Sequence, residues 1–165
     1  HAGTAKAPVV AAPVASPEWG LYNFSPSEAL VVLEISCTLK SGTQGLGMSI
    51  FVASAIGPQT AVTSNYTGTI ISATDGSGKA PPFYLTNNPT LVGGTPAWHV
   101  AAADGGNVIA QVNIGTGLVA RLDGSHIARP AGGMVAFEIV GPTGTTALYS
   151  VSALVAVVPN SLVSG

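Results

Sequence analysis

From Ser27 onward apolar and polar positions alternate with a period of two. Ala29, Val31, Leu33, Ile35, Cys37 and Leu39 fall on one face, all apolar, which predicts a core-facing strand. Leu30, Val32, Glu34, Ser36 and Thr38 fall on the other face, apolar at one end only, as expected of a strand partly covered by a partner. Met48 to Ile56 is apolar on both faces, which predicts burial on both sides, and Gly57-Pro58 ends it. Further strand-like runs follow at 60–74, 82–85, 98–103, 108–114, 118–122, 126–129, 134–140 and 146–158. Three dipeptides, Asp75-Gly76, Asp104-Gly105 and Asp123-Gly124, stand between such runs, and Asp-Gly tolerates the positive φ of a tight hairpin turn. No segment shows a helical period. The pattern predicts an all-β fold, an antiparallel β-sandwich with Greek-key or jelly-roll connections.

Residues 1–26 read differently. The opening HAGTAKAPVVAAPVASP has no alternation, and Pro8, Pro13 and Pro17 oppose both helix and sheet interior. It predicts an extended N-terminal arm over 1–26, followed by a single sandwich domain over 27–165. An arm of this kind cannot bury its own valines, so Val9, Val10 and Val14 are expected to lie on a neighbouring surface.

Composition agrees with the pattern and adds one fact. Val (19), Ile (9) and Thr (15) favour strands, while Gly (21) and Pro (12) favour the turns between them. The added fact is charge: five Lys+Arg and seven Asp+Glu are 7% of the chain, where soluble domains average about 25%. With a net charge of -2 there is no basic field to collect phosphates, which disfavours nucleic acid as a partner. The mean hydropathy is +0.48, yet the longest apolar run, Ala153 to Val158, is far too short for a membrane helix. So few charges leave much of the surface neutral or apolar, and apolar surface usually marks a contact. Stable association is therefore expected, with Leu30 and Val32 of the mixed strand face joining Val9, Val10 and Val14 as interface residues.

Candidate chemistry is sparse. All three aspartates sit in Asp-Gly turns, which explains them without catalysis. Glu34 and Glu138 are expected on polar faces or paired with Arg121 or Arg129, and nothing specifies the facing carboxylates of a glycosidase. No Gly-x-Ser-x-Gly elbow exists, and Gly76-Ser77-Gly78-Lys79 fails the phosphate-loop pattern at Ala73 and Ala80. The lone Cys37 reads as a buried hydrophobe. His1, with His99 or His126, could imitate a copper-binding histidine brace, but no His-x-x-His ligand pair supports it, and no metal or cofactor is expected. Trp19, Tyr22, Phe24, Phe83, Tyr84 and Trp98 are the residues on which a sugar-binding surface would have to be built, although alternation makes most of them core or interface anchors.

The arm, the strand EALVVLEISCTL, the Asp-Gly turns and the ending IARPAGGMVAFEIVGPTGTTALYSVSALVAVVP together resemble the small jelly-roll proteins that decorate phage capsids as trimers, and related fibre-tip domains. The resemblance covers residues 27 to 159. It implies a non-enzymatic virion protein on the capsid surface, a homotrimer whose partner is the major capsid protein and whose arms reach adjacent subunits. A receptor- or carbohydrate-binding module of a fibre or tail is the alternative it leaves open.

Overall fold

The computed structural model describes residues 5–11, 13–43, 47–55, 57–60, 82–103, 111–113, 117–141 and 146–163. The Asp75-Gly76 and Asp104-Gly105 turns, the 60–74 run after Thr60 and His1 lie outside them. Ten strands are described: β1 (Trp19–Asn23), β2 (Glu28–Ser41), β3 (Ser49–Ser54), β4 (Phe83–Asn87), β5 (His99–Ala103), β6 (Gln111–Asn113), β7 (Gly117–Arg121), β8 (Ile127–Ala128), β9 (Met134–Val140) and β10 (Leu148–Pro159). They form two antiparallel sheets, β4-β1-β9-β3-β5 and β10-β2-β7-β6, with β8 also beside β2. The protein is an all-β sandwich. One set of its pairings is nested, β1 with β9, β2 with β7 and β8, β3 with β5, and the pairs β1–β4, β3–β9, β2–β10 and β6–β7 complete the sheets. Nesting of this sort is what a long ribbon makes when it folds over and wraps, so the connections are jelly-roll-like. No helix among the described residues is long and apolar enough to cross a membrane.

The inner faces share one core that includes Trp19, Ile35, Ile50, Leu118, Phe137 and Tyr149. Trp19 stacks on Phe137 with ring centroids 5.8 Å apart. Gly117 allows the close approach of β7 to β2, since a Cβ there would run into the Cys37 carbonyl. At the β1–β2 crossover Asn23 is buried, donating from Nδ2 to the carbonyls of Glu28 and Ala128 while Oδ1 accepts the Ser25 N–H. The outer face of the first sheet carries a second cluster, in which Tyr22, Leu91, Met134 and Ala136 are covered by Ala15 of the arm and by Trp98. β9, covered on both faces, accordingly reads MVAFEIV with almost no polar alternation.

Three expectations are corrected. The strict alternation assigned to β2 breaks in its middle. Leu154 of β10 pairs with Glu34 and the next residue, Val155, pairs with Val32, so Leu33 is an extra residue in a β-bulge. One extra residue reverses the parity: Leu30 and Val32 face the core before the bulge, and Ile35 and Cys37 face it afterwards. Leu30 and Val32 are therefore core residues and not interface residues, while Leu33 is 37% exposed.

The Asp123-Gly124 turn is not a hairpin. β7 and β8, on either side of it, both run antiparallel to β2, so the chain continues in one direction across the interruption. Gly124 has the expected positive φ of 83°, and the Asp123 carboxylate accepts the Ser125 N–H. Opposite the interruption lies the Leu33 bulge, spanned by hydrogen bonds from Leu122 N–H to Leu33 O and from Val32 N–H to His126 O. β2 has two residues here, Val32 and Leu33, where the facing chain has five, 122–126, so the pairing resumes in a shifted register at Val31 and Ile127.

The arm is shorter than 1–26 and docks on its own domain. Trp19–Asn23 form the fully buried β1 in the interior of the first sheet. Before it, Lys6 exchanges two backbone hydrogen bonds with Tyr149 of β10, and Val9 bridges β9 through Ile139 O and Gly141 N. The reason is geometric. β1 begins opposite Phe137, so the end of β9 has unpaired backbone groups on that side, and the arm fills the position.

Candidate functional site

The two sheets differ in what covers them. The outer face of the second sheet carries, by register, Ser150, Ser152, Leu154 and Ala156 of β10 beside Thr38, Ser36, Glu34 and Val31 of β2. One end is hydroxyl-rich, with Ser36 and Ser152 hydrogen-bonded Oγ to Oγ at 2.7 Å. The other end is apolar: Leu154 is 50% exposed and Leu33 of the bulge is exposed, while Val157, which pairs with the core residue Leu30 and so lies on the inner face, is exposed at the end of the strand. The ion pair on this face, Arg121 to Glu34 at 3.8 Å, is loose and solvent-exposed, and contributes little to stability. β10 is also an edge strand, and beyond the Lys6 bridge at Tyr149 no described strand pairs with its outer edge. A long edge strand with apolar residues is a template for a further strand or a second chain.

The arm adds to this exposed apolar surface. Val10 and Val14 point outward and stand more than half exposed, whereas Val9 is partly buried against β9. Of the interface residues read from the sequence, Val10 and Val14 thus remain open to a partner, and Leu30 and Val32 do not. The aromatic residues divide in the same way. Trp19, Tyr22 and Phe83 are buried, while Phe24 is exposed and stacks on Tyr84 at 4.5 Å between centroids.

Beneath the arm lies a cluster of charged side chains that the chain pattern did not reveal. Glu138 is buried within β9, and Glu18, at the foot of the arm, faces it. Lys6 reaches in from the arm, its Nζ donating to the Glu18 carbonyl at 3.1 Å and to Asn88 Oδ1, and lying 5.3 Å from the Trp19 ring centroid. Burial pushes the Glu18 carboxyl up to about 8 and the Glu138 carboxyl up to about 7, against the pull of the Lys6 ammonium on each. Burial likewise lowers Lys6. One oxygen of Glu18, Oε2, is buried with no hydrogen-bond partner among the described residues. The cluster fastens the arm, and near neutrality its two carboxyls hold a proton that free glutamates would have lost.

Glu138 was expected on a polar face or beside an arginine; its partners are instead Lys6 and Glu18, because the outer face of β9 is covered by the arm. A perturbed carboxyl pair is also a common mark of acid-base sites. In this structure Glu138 is only 4% exposed and Glu18 is half-buried, so the pair is packed against the arm. Cys37 is buried, and desolvation pushes its thiol up to about 11, as suits an inert core residue. Among the described residues no three His, Cys, Asp or Glu side chains converge as a metal cage. No protein-family model matches the chain, and no curated protein or solved structure matches it either.

Proposed function

We propose that the protein is a non-enzymatic virion component, a capsid decoration (cement) protein that associates as a trimer and holds neighbouring major capsid subunits together through neutral, apolar contacts. The observation that supports this reading is the combination of a chain only 7% charged with exposed Leu33, Leu154, Val157, Val10 and Val14 and an open β10 edge. Contacts of this type immobilise few long charged side chains and desolvate few charges. The arm fits the reading in a modified form. It docks on its own domain and presents Val10 and Val14 outward, so it reaches a neighbour as part of a folded surface.

Native mass spectrometry of the purified chain tests the trimer. A metal-free species at three times 16.3 kDa is expected. A monomeric species would overturn the trimer on which the reading rests. Leu154→Asp should abolish self-association with the fold intact, as circular dichroism would show, and with some loss of Tm, since the new carboxylate stands opposite Glu34 and the stabilisation by association is lost. Val10→Asp with Val14→Asp should weaken attachment to particles with the fold intact, as circular dichroism would show. If that variant attaches as well as the parent, the arm is not part of the contact.

A fibre or tail module that binds a receptor or carbohydrate is the second reading. The exposed Phe24–Tyr84 stack favours it, since such a pair offers a flat face to a sugar ring. Glycan binding lost in Phe24→Ala would favour this reading over decoration.

A further inference from the structure

His99 and His126 are distant in sequence and meet in space. His99 opens β5 at the edge of the first sheet, and His126 sits in the interruption between β7 and β8 of the second. Their rings lie 5.5 Å apart between centroids, with planes at 78°. His99 is exposed and His126 half-buried, so the pair is open to solvent on one side. The Ser125 hydroxyl is 3.1 Å from His126 Nδ1, which fixes that ring and leaves Nε2 outside the bond. Metal-binding imidazoles are commonly held in this way, one nitrogen engaged by a neighbour and the other presented to the ion.

We propose that His99 and His126 form a two-imidazole site for a borderline divalent transition metal ion such as zinc, with water completing the coordination. Both rings supply the intermediate nitrogen donors that such ions prefer over the oxygen sites of calcium or magnesium. The position carries a structural consequence. A shared ion would tie β5 of one sheet to the β7–β8 interruption of the other, where no backbone pairing joins these strands among the described residues. Two protein ligands are half of a tetrahedral shell, so affinity is expected to be modest and the ion exchangeable.

Isothermal titration with zinc chloride near pH 7.5, alongside the imidazole proton resonances, tests the site. The parent chain should bind one ion with both His99 and His126 resonances shifted, and His99→Ala and His126→Ala should each bind at least about tenfold more weakly. Binding should fade near pH 5.5 as protons compete for the rings. Thermal melts of the two variants in the absence of metal establish that they are folded. No binding at about 1 mM zinc, a free energy weaker than about -4 kcal/mol, would overturn the proposal. So would an affinity unchanged in both variants, which would place the ion elsewhere.

Discussion

Trp19→Ala should destabilise the protein by about 3–5 kcal/mol, the usual cost of deleting a large aromatic ring from a closed core. Trp19 is fully buried, stacks on Phe137, and lies under the Lys6 ammonium. The substitution would empty the junction where the arm, β1 and β9 meet, and the surrounding strands cannot close over the cavity without losing register. Chemical denaturation should show a lower midpoint with an unchanged slope. Because the same ring supports the arm, limited proteolysis should cut the segment before β1 faster in the variant. A loss below about 1 kcal/mol would mean that the ring is not a core element of the folded protein in solution.

The second large effect is on the pH dependence of stability. Glu18 and Glu138 are pushed up to about 8 and about 7, so the folded protein holds protons that the unfolded chain releases near 4.5. Stability contributed by a raised carboxyl is full below the unfolded value and falls as pH rises through the folded one. Tm should therefore decline between about pH 5 and pH 8, opposite to the usual behaviour of salt-bridged carboxylates. Solvent screening and the Lys6 ammonium reduce the effect, and a fall of about 4–8 °C, equivalent to about 2 kcal/mol for a chain of this size, is expected. The lowered Lys6 acts in the opposite direction as pH rises toward the ordinary lysine value. Glu18→Gln combined with Glu138→Gln keeps the shapes and removes both titrations, so its Tm should be flat over the window and higher than the parent's near pH 8. A parent profile that rises from pH 5 to pH 8 would show the two carboxyls to be ionised and well solvated.

The sandwich was legible in the sequence because period-two alternation and turn residues agree along most of the chain. β3, β5, β7, β9 and β10 appear within a few residues of where alternation and its breaks place them. The misreadings share a physical cause. Alternation reports which positions share a face only while the strand is regular, and the extra Leu33 exchanges the faces without any change in residue type. Asp-Gly specifies a positive φ and not the direction of the next strand, so Asp123-Gly124 looks the same as a hairpin turn or as a kink along β2. β1 was hidden by Gly20 and by the aromatic and polar residues around it, which show no alternation because all five of its residues are buried.

The buried cluster and the histidine pair were illegible for a different reason. Lys6, Glu18 and Glu138 come from the arm, its foot and β9, and only the return of the arm across the end of β9 brings them together. A single clue was present: Glu138 interrupts an otherwise apolar strand, and a carboxyl there needs a partner from elsewhere in the chain. His99 and His126 carry no such clue, since their meeting depends on how the two sheets superpose.

Under the proposed reading the partner is a major capsid protein, and cosedimentation with capsids assembled from one tests the central claim most directly. The account predicts saturable attachment in groups of three, insensitive to salt because few charges take part. It also predicts that Leu154→Asp and the Val10→Asp, Val14→Asp variant fail to attach while remaining folded. Absence of attachment by the parent chain, or attachment that high salt abolishes, would contradict it.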